Sequence, residues 1–273
     1  MSFLSKYPGL TAEMEKIREV ARYLWERGWA ERNGGNISVN MTHLADDAFL
    51  HLPPLAPAQP LGMSLKALAG NIFYVTGTGK RMRYVADDPF KNGVLIRLNA
   101  CGGAYEMIAE QWIAPTSELP SHLAIHNFLR EQGGRHRVVL HTHPTDLIAL
   151  THHKPLLNSV TLTWKLWSMI PECRVVIPKG VGIVPYESPG TMALAEATLR
   201  QLEKHEVVIW EKHGVLAVGE DIIECFDTID TLSKSAQIYL YARQAGFEPE
   251  GMTRIQMDAL VDLFGLPAFD ESL

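Results

Sequence analysis

The segment Arg137-Val-Val-Leu-His141-Thr142-His143-Pro144 constrains this chain more than any other. Val138, Val139 and Leu140 make a short apolar run favouring a buried strand, and Pro144 stops it because proline has no N–H to give a ladder. Residues i and i+2 of a strand face the same side, so His141 and His143 share a face with backbones roughly 7 Å apart. Two imidazoles placed like this can converge on one metal ion, or each can hydrogen-bond a nearby loop. The spacing alone leaves both readings open.

Further strands are expected at Ile37–Val39, Asn71–Val75, Gly93–Leu98, Cys173–Ile177, Gly182–Pro185, Val207–Trp210 and Val215–Val218. The first helix is capped by Thr11, carries Met14, Ile17, Ala21, Leu24 and Trp25 on one face, and ends at Gly28. Ala114-Pro-Thr116-Ser117-Glu118-Leu-Pro120 opens another, with Pro120 in the first turn and Gly133-Gly134 beyond the end. Later helices cover Thr191–Lys204, Asp221 to about Ala245 and about Thr253 to Phe264. Residues from about 41 to 70 are rich in Pro, His and Asp yet hold many aliphatics, which reads as an ordered surface excursion. Sequential strands bracketed by helices point to a single α/β domain over residues 1–273. Its architecture is expected to be three-layer α/β/α around a mixed, largely antiparallel sheet.

With 47% hydrophobic and 21% charged residues the composition is that of an ordinary globular protein. A net charge of −6 leaves no basic footprint, which argues against nucleic acid as the main partner. A phosphorylated small molecule remains compatible, since its recognition needs local donors. Cys101, Cys173 and Cys225 form no paired motif, so a reducing compartment fits best. Met1 to Pro8 lacks the apolar core of a secretion signal, and no apolar run approaches the ~18 residues of a membrane span. A soluble cytoplasmic protein is the expectation.

A third metal ligand has to be chosen by context. His122 and His126 stand at i and i+4 on a helix, but Leu123, Ala124 and Ile125 between them favour packing. His152 and His153 read as surface residues. His213 is the better candidate: it follows the strand Val207–Trp210, and Gly214 allows a tight turn into the next one. Three histidines would leave an open coordination position, as catalytic zinc sites do. Glu118, just ahead of a helix, is either a helix cap or a carboxylate for proton transfer. Asn33-Gly-Gly-Asn36 and Thr76-Gly-Thr-Gly-Lys80 could offer backbone N–H groups to a phosphate, although hairpin turns explain them equally. The second is neither a P-loop, since Arg81 follows Lys80, nor a dinucleotide fingerprint, since Met82 replaces the third glycine.

Taken in order, Asn33-Gly-Gly-Asn36, Thr76-Gly-Thr-Gly79, Thr116-Ser117-Glu118, His141-Thr-His143 and His213-Gly214 resemble the motifs of the class II aldolase/adducin family. The likeness runs from the first helix to the helix after Asp221. Within the family it is greatest to the branch that cleaves L-rhamnulose 1-phosphate, through Glu31 to Asn36, the excursion, Ala114 to Pro120 and Asp227 to Ala236. One departure is Thr78, where the family has serine; the hydroxyl is kept. The resemblance implies zinc-dependent, reversible retro-aldol cleavage to dihydroxyacetone phosphate and L-lactaldehyde. By that likeness His141, His143 and His213 hold one zinc ion per subunit and Glu118 exchanges the proton at C3. Asn33, Gly35, Asn36, Thr78, Thr116 and Ser117 are implied to hold the phosphate. The family is tetrameric, so a homotetramer is implied, with Glu172 resembling a family glutamate that reaches a neighbouring subunit's site. Rival expectations are another sugar-phosphate aldolase or 4-epimerase on the same fold, and a non-catalytic interaction domain like that of adducin.

Overall fold

The computed structural model describes residues 3–110, 112–269 and 271. Helix α1 (Pro8–Glu26) leads to β1 (Asn36–Asn40). The excursion follows, with α2 (Asp47–Leu50) and the short β2 (Gln59–Pro60). Next come β3 (Ile72–Thr76), α3 (Met82–Asp87), α4 (Pro89–Asn92), β4 (Gly93–Leu98) and β5 (Ala104–Ile108). Helix α5 (Leu119–Glu131) precedes β6 (Val138–Thr142), α6 (Thr145–Leu150), α7 (Ser159–Trp167) and α8 (Pro171–Val176). The remainder is β7 (Gly182–Val184), α9 (Met192–Leu202), β8 (Val207–Trp210), β9 (Gly214–Gly219), α10 (Ile222–Gln244) and α11 (Arg254–Phe264).

Among the described residues the strands form one nine-stranded sheet in the order β2-β5-β4-β3-β1-β6-β9-β8-β7. The pairings of β1 with β3 and β6, of β4 with β3 and β5, and of β8 with β9 are antiparallel, while β7 and β8 run parallel. A mixed, largely antiparallel sheet with flanking helices is therefore the observed fold, as the element pattern anticipated. No helix among the described residues is long and apolar enough to cross a membrane.

Contacts divide the chain into two compact units, Met1–Thr142 with Val218–Cys225, and His143–Ala217 with Phe226–Leu273. In the first, Phe73 and Val75 of β3, Val94 and Ile96 of β4, and Leu119 and Leu123 of α5 belong to one buried cluster. Leu65 and Leu68 join it, which anchors the end of the excursion to the core. Helix α1 begins three residues before Thr11, because Pro8 occupies its first turn with a preset φ. Trp25 lies at the margin of the buried stripe and is 43% exposed, with the Arg83 guanidinium 5.1 Å from its ring centre.

In the second unit the stretch expected as a strand at Cys173–Ile177 instead forms the end of a helix, with Ile177 as its C-cap. A short apolar run cannot distinguish strand from helix by periodicity, and Pro171 at the first helical position decides for α8. The helix buries Arg174, whose guanidinium stacks 4.1 Å from the Trp167 ring centre and donates to the carbonyls of Pro178 and Pro267. Strand β5 and the short helices α3, α4, α6 and α7 have no counterpart among the sequence expectations. Helices α3, α4 and α6 span fewer than two turns, too few for an apolar repeat to show.

Gly93 shows how tightly β3 and β4 are matched. A Cβ there would fall 2.4 Å from the ring of Tyr74, which is fully buried and donates its hydroxyl to the Pro89 carbonyl at 2.9 Å. Gly93→Ala is expected to destabilise the protein by about 1–3 kcal/mol through overpacking. Urea unfolding checks this; an unchanged midpoint would show that Tyr74 moves aside at no cost.

Candidate functional site

Strand β6 ends at Thr142, so His141 lies within it and His143 just beyond. Thr142 is fully buried and donates its hydroxyl to the Trp29 carbonyl at 2.8 Å, which pins the residue between the two histidines. His213 sits in the turn joining β8 to β9. The left-handed residue of that turn is Lys212, with φ of 59°, and not Gly214, which is already the first residue of β9. Lys212 N–H donates to the Thr151 hydroxyl at 2.9 Å, and His213 N–H donates to the Trp210 carbonyl at 3.1 Å. The His213 ring centre lies 5.1 Å from that of Trp210 and 5.4 Å from that of His143.

His141, His143 and His213 each offer one ligand atom, and these atoms all lie within 4.8 Å of one another. His141 is buried and the other two are half-buried. A donor set of three imidazoles, partly open to solvent, fits a divalent ion of borderline softness that keeps positions for other ligands. Among the described residues this is the one group of three or more histidine, cysteine or carboxylate side chains so arranged.

Glu118 occupies the N-cap position of α5, yet its side chain makes no capping hydrogen bond. Its Oε2 instead accepts from Asn36 Nδ2 at 3.0 Å. The other end of the same amide, Asn36 Oδ1, is bonded to His122 Nε2. His122 Nδ1 lies 2.7 Å from Ser38 Oγ, which lies 2.9 Å from His126 Nε2. Asn36 and Ser38 share one face of β1, while His122 and His126 are one turn apart on α5. Both histidines are buried, as their packing role implied; they join a polar network, and the His126 ring also packs with its centre 4.9 Å from that of Phe73. The signal available in sequence was the pair of spacings, Asn-x-Ser in the strand and His-x-x-x-His in the helix.

The loops named in sequence gather at the same end of the β1–β3 pair. Gly35 has φ of 75°, and a Cβ on it would fall 2.8 Å from the His141 carbonyl oxygen. Glycine is needed there on both counts, and it lets the 33–36 turn lie against β6. Asn36 stands directly opposite His141 in the β1–β6 register. Thr116 N–H donates to the Thr76 carbonyl at 2.9 Å and Thr78 N–H to the Ala114 carbonyl at 2.8 Å, laying 114–116 along 76–78. Asn33, Thr78 and Ser117 are exposed and Thr116 is half-buried. The Asn36 side chain, by contrast, is engaged with Glu118 and His122. Glu172 is exposed in the first turn of α8, and His152 and His153 are exposed in the turn after α6.

Burial pushes His122 down to about 4 and His126 down to about 3 from the ordinary 6.5. Below pH 6.5 the unfolded chain takes up protons that these buried rings refuse until pH 4 or lower. Their contribution to stability is complete above that window and is lost as pH falls through it, by up to about 1.4 kcal/mol per pH unit for each ring. In urea unfolding between about pH 7.5 and 5, His126→Gln is expected to lose less stability per pH unit than the unaltered protein. Equal slopes would mean that His126 does not enter the fold neutral.

Comparison with known proteins agrees with this geometry. The family profile described as "Class II Aldolase and Adducin N-terminal domain" matches residues 15–240. A rhamnulose-1-phosphate aldolase of Bacteroides thetaiotaomicron is 47% identical over 266 residues, covering 97% of this chain and 99% of the relative. One from Listeria welshimeri is 37% identical over 83% of this chain and 82% of its own. Among solved structures, a sugar-phosphate aldolase from Thermotoga maritima matches with a TM-score of 0.75 and 30% identity, covering 89% of this chain and 99% of that one. Three clustered imidazoles, a carboxylate held by an asparagine and these relatives together place the chain in the class II aldolase and adducin family.

Proposed function

We propose that this chain catalyses the reversible cleavage of L-rhamnulose 1-phosphate to dihydroxyacetone phosphate and L-lactaldehyde, using a zinc ion held by His141, His143 and His213. The observation that carries the reading is the three-imidazole cluster, occurring in a chain alike over almost its whole length to a rhamnulose-1-phosphate aldolase. A non-catalytic interaction domain would have no use for that cluster. The reading also takes the chain as one domain and as a cytoplasmic homotetramer.

A divalent ion at the histidines supplies Lewis acidity toward substrate oxygens as negative charge builds on them. Glu118 carries the proton chemistry at C3. In cleavage, the C4 hydroxyl gives its proton to water as the aldehyde forms, the electrons of the C3–C4 bond pass to the ketose fragment, and water returns a proton to the Glu118 carboxylate. Glu118 then delivers a proton to C3, giving dihydroxyacetone phosphate; in synthesis its carboxylate removes that proton. The Asn36 amide holds Oε2 and leaves Oε1 of the same carboxylate for the transfer. Asn33, Gly35, Asn36, Thr78, Thr116 and Ser117 are assigned to the substrate phosphate, with amide N–H groups and hydroxyls in place of a large net charge.

Assays of L-rhamnulose 1-phosphate, L-fuculose 1-phosphate and L-ribulose 5-phosphate, with and without a chelator, test the substrate and the metal together. Release of dihydroxyacetone phosphate from the rhamnulose ester, abolished by chelation and restored by zinc, is expected. Turnover of another ester with none of the rhamnulose ester would assign a different aldolase or an epimerase. Glu118→Ala should keep its zinc and lose about 10²-fold or more in rate. If it lost the metal, Glu118 would be a ligand. His143→Ala should lose zinc and activity together, and full metal retention would remove it from the ligand set.

A further inference from the structure

We propose that His122 is a positioning residue for Glu118, with Ser38 and His126 fixing its tautomer so that Asn36 presents its NH2 group to the carboxylate. The inference rests on the reading of Glu118 as the group that exchanges the C3 proton. It follows from the donor and acceptor inventory of the chain that runs His126, Ser38, His122, Asn36, Glu118.

A carboxylate accepts only, so the Asn36 atom 3.0 Å from Glu118 Oε2 has to be the amide nitrogen. The amide oxygen then faces His122 Nε2, and since that oxygen cannot donate, Nε2 carries the proton. A neutral imidazole has one N–H, which leaves His122 Nδ1 as an acceptor. Ser38 must therefore donate its single hydroxyl proton across the 2.7 Å to Nδ1. With that proton committed, Ser38 Oγ can only accept from His126 Nε2 at 2.9 Å. Burial keeps both rings neutral, as the depressed values near 4 and 3 require.

Every donor in the chain points toward Glu118, so each bond polarises the next in the same sense. The opposite tautomer of His122 is penalised at the far end. It would set an imidazole lone pair against the Asn36 oxygen, and relieving that by turning the amide would aim the oxygen at an anion. A sequence that merely filled this space with apolar side chains would leave the Asn36 amide free to turn. The other four residues hold Glu118 in one orientation without adding charge beside it.

The test compares His122→Met, His122→Gln and Ser38→Ala in the zinc-loaded full chain. Its readouts are kcat and KM for cleavage, and solvent-deuterium exchange at C3 of dihydroxyacetone phosphate without aldehyde. Met fills the ring's volume and removes the N–H, whereas Gln can place an N–H near the Nε2 position. His122→Met is expected to lower kcat and the exchange rate together by about 10- to 100-fold, with KM and zinc content unchanged. His122→Gln should recover most of that loss. Ser38→Ala should lower both rates less, and it serves as the second probe if His122→Met fails to fold. Adding His122→Met to Glu118→Ala should cost nothing further, because the two act as one unit. Exchange by His122→Met at the unaltered rate, or a full additional loss in the Glu118→Ala background, would overturn the positioning role. Absence of exchange in the unaltered protein would instead remove the Glu118 reading itself.

Discussion

A row of buried polar side chains between β1 and α5 is the constraint on which the site depends. Ile37 and Val39 are fully buried on one face of β1, while Asn36 and Ser38 are buried on the other. A strand covered on both faces ordinarily carries apolar residues on both. Here one face carries an amide and a hydroxyl, each costing about 1–3 kcal/mol if left unpaired. His122 and His126 satisfy them, and Asn36 passes the connection on to Glu118. Because the strand period is two, a slip of one residue would bring Ile37 and Val39 against the imidazoles and withdraw Asn36 from the carboxylate. The register of β1 and the orientation of the proposed acid–base group thus enforce each other.

The same register sets Asn36 opposite His141, so one strand serves both the carboxylate and the segment that carries candidate metal ligands. Gly35 allows this closeness, since any side chain there would meet the His141 carbonyl. His213 is held by a different device, a left-handed Lys212 and a backbone bond to Trp210. Backbone hydrogen bonds thus position both His141 and His213.

How much of this was legible varies with how local the cause is. The strand-end histidines, the helix start at Glu118 and the glycine turn before β1 each announce themselves in a few residues. Cys173 to Ile177 misleads because five residues are too few to show a period, and a proline two residues earlier outweighs them. Gly214 was the obvious turn residue, yet pairing with Trp210 claims it for β9 and passes the strained conformation to Lys212. His122 and His126 were legible as buried but not as polar partners, because their acceptors lie more than eighty residues earlier in the chain.

The sequence by itself determined the type of the longer elements, the candidate ligands His141 and His143, and the family to which five ordered motifs belong, because each depends on near neighbours and on period. Tertiary structure alone decided that Glu118 is held by Asn36 rather than capping its own helix. It also decided that His213 joins the pair at the end of β6, and that two core histidines stand behind the carboxylate. The physical reason is that a hydrogen bond or a coordination cluster requires atoms a few ångströms apart, and sheet register brings together residues that spacing along the chain leaves unrelated.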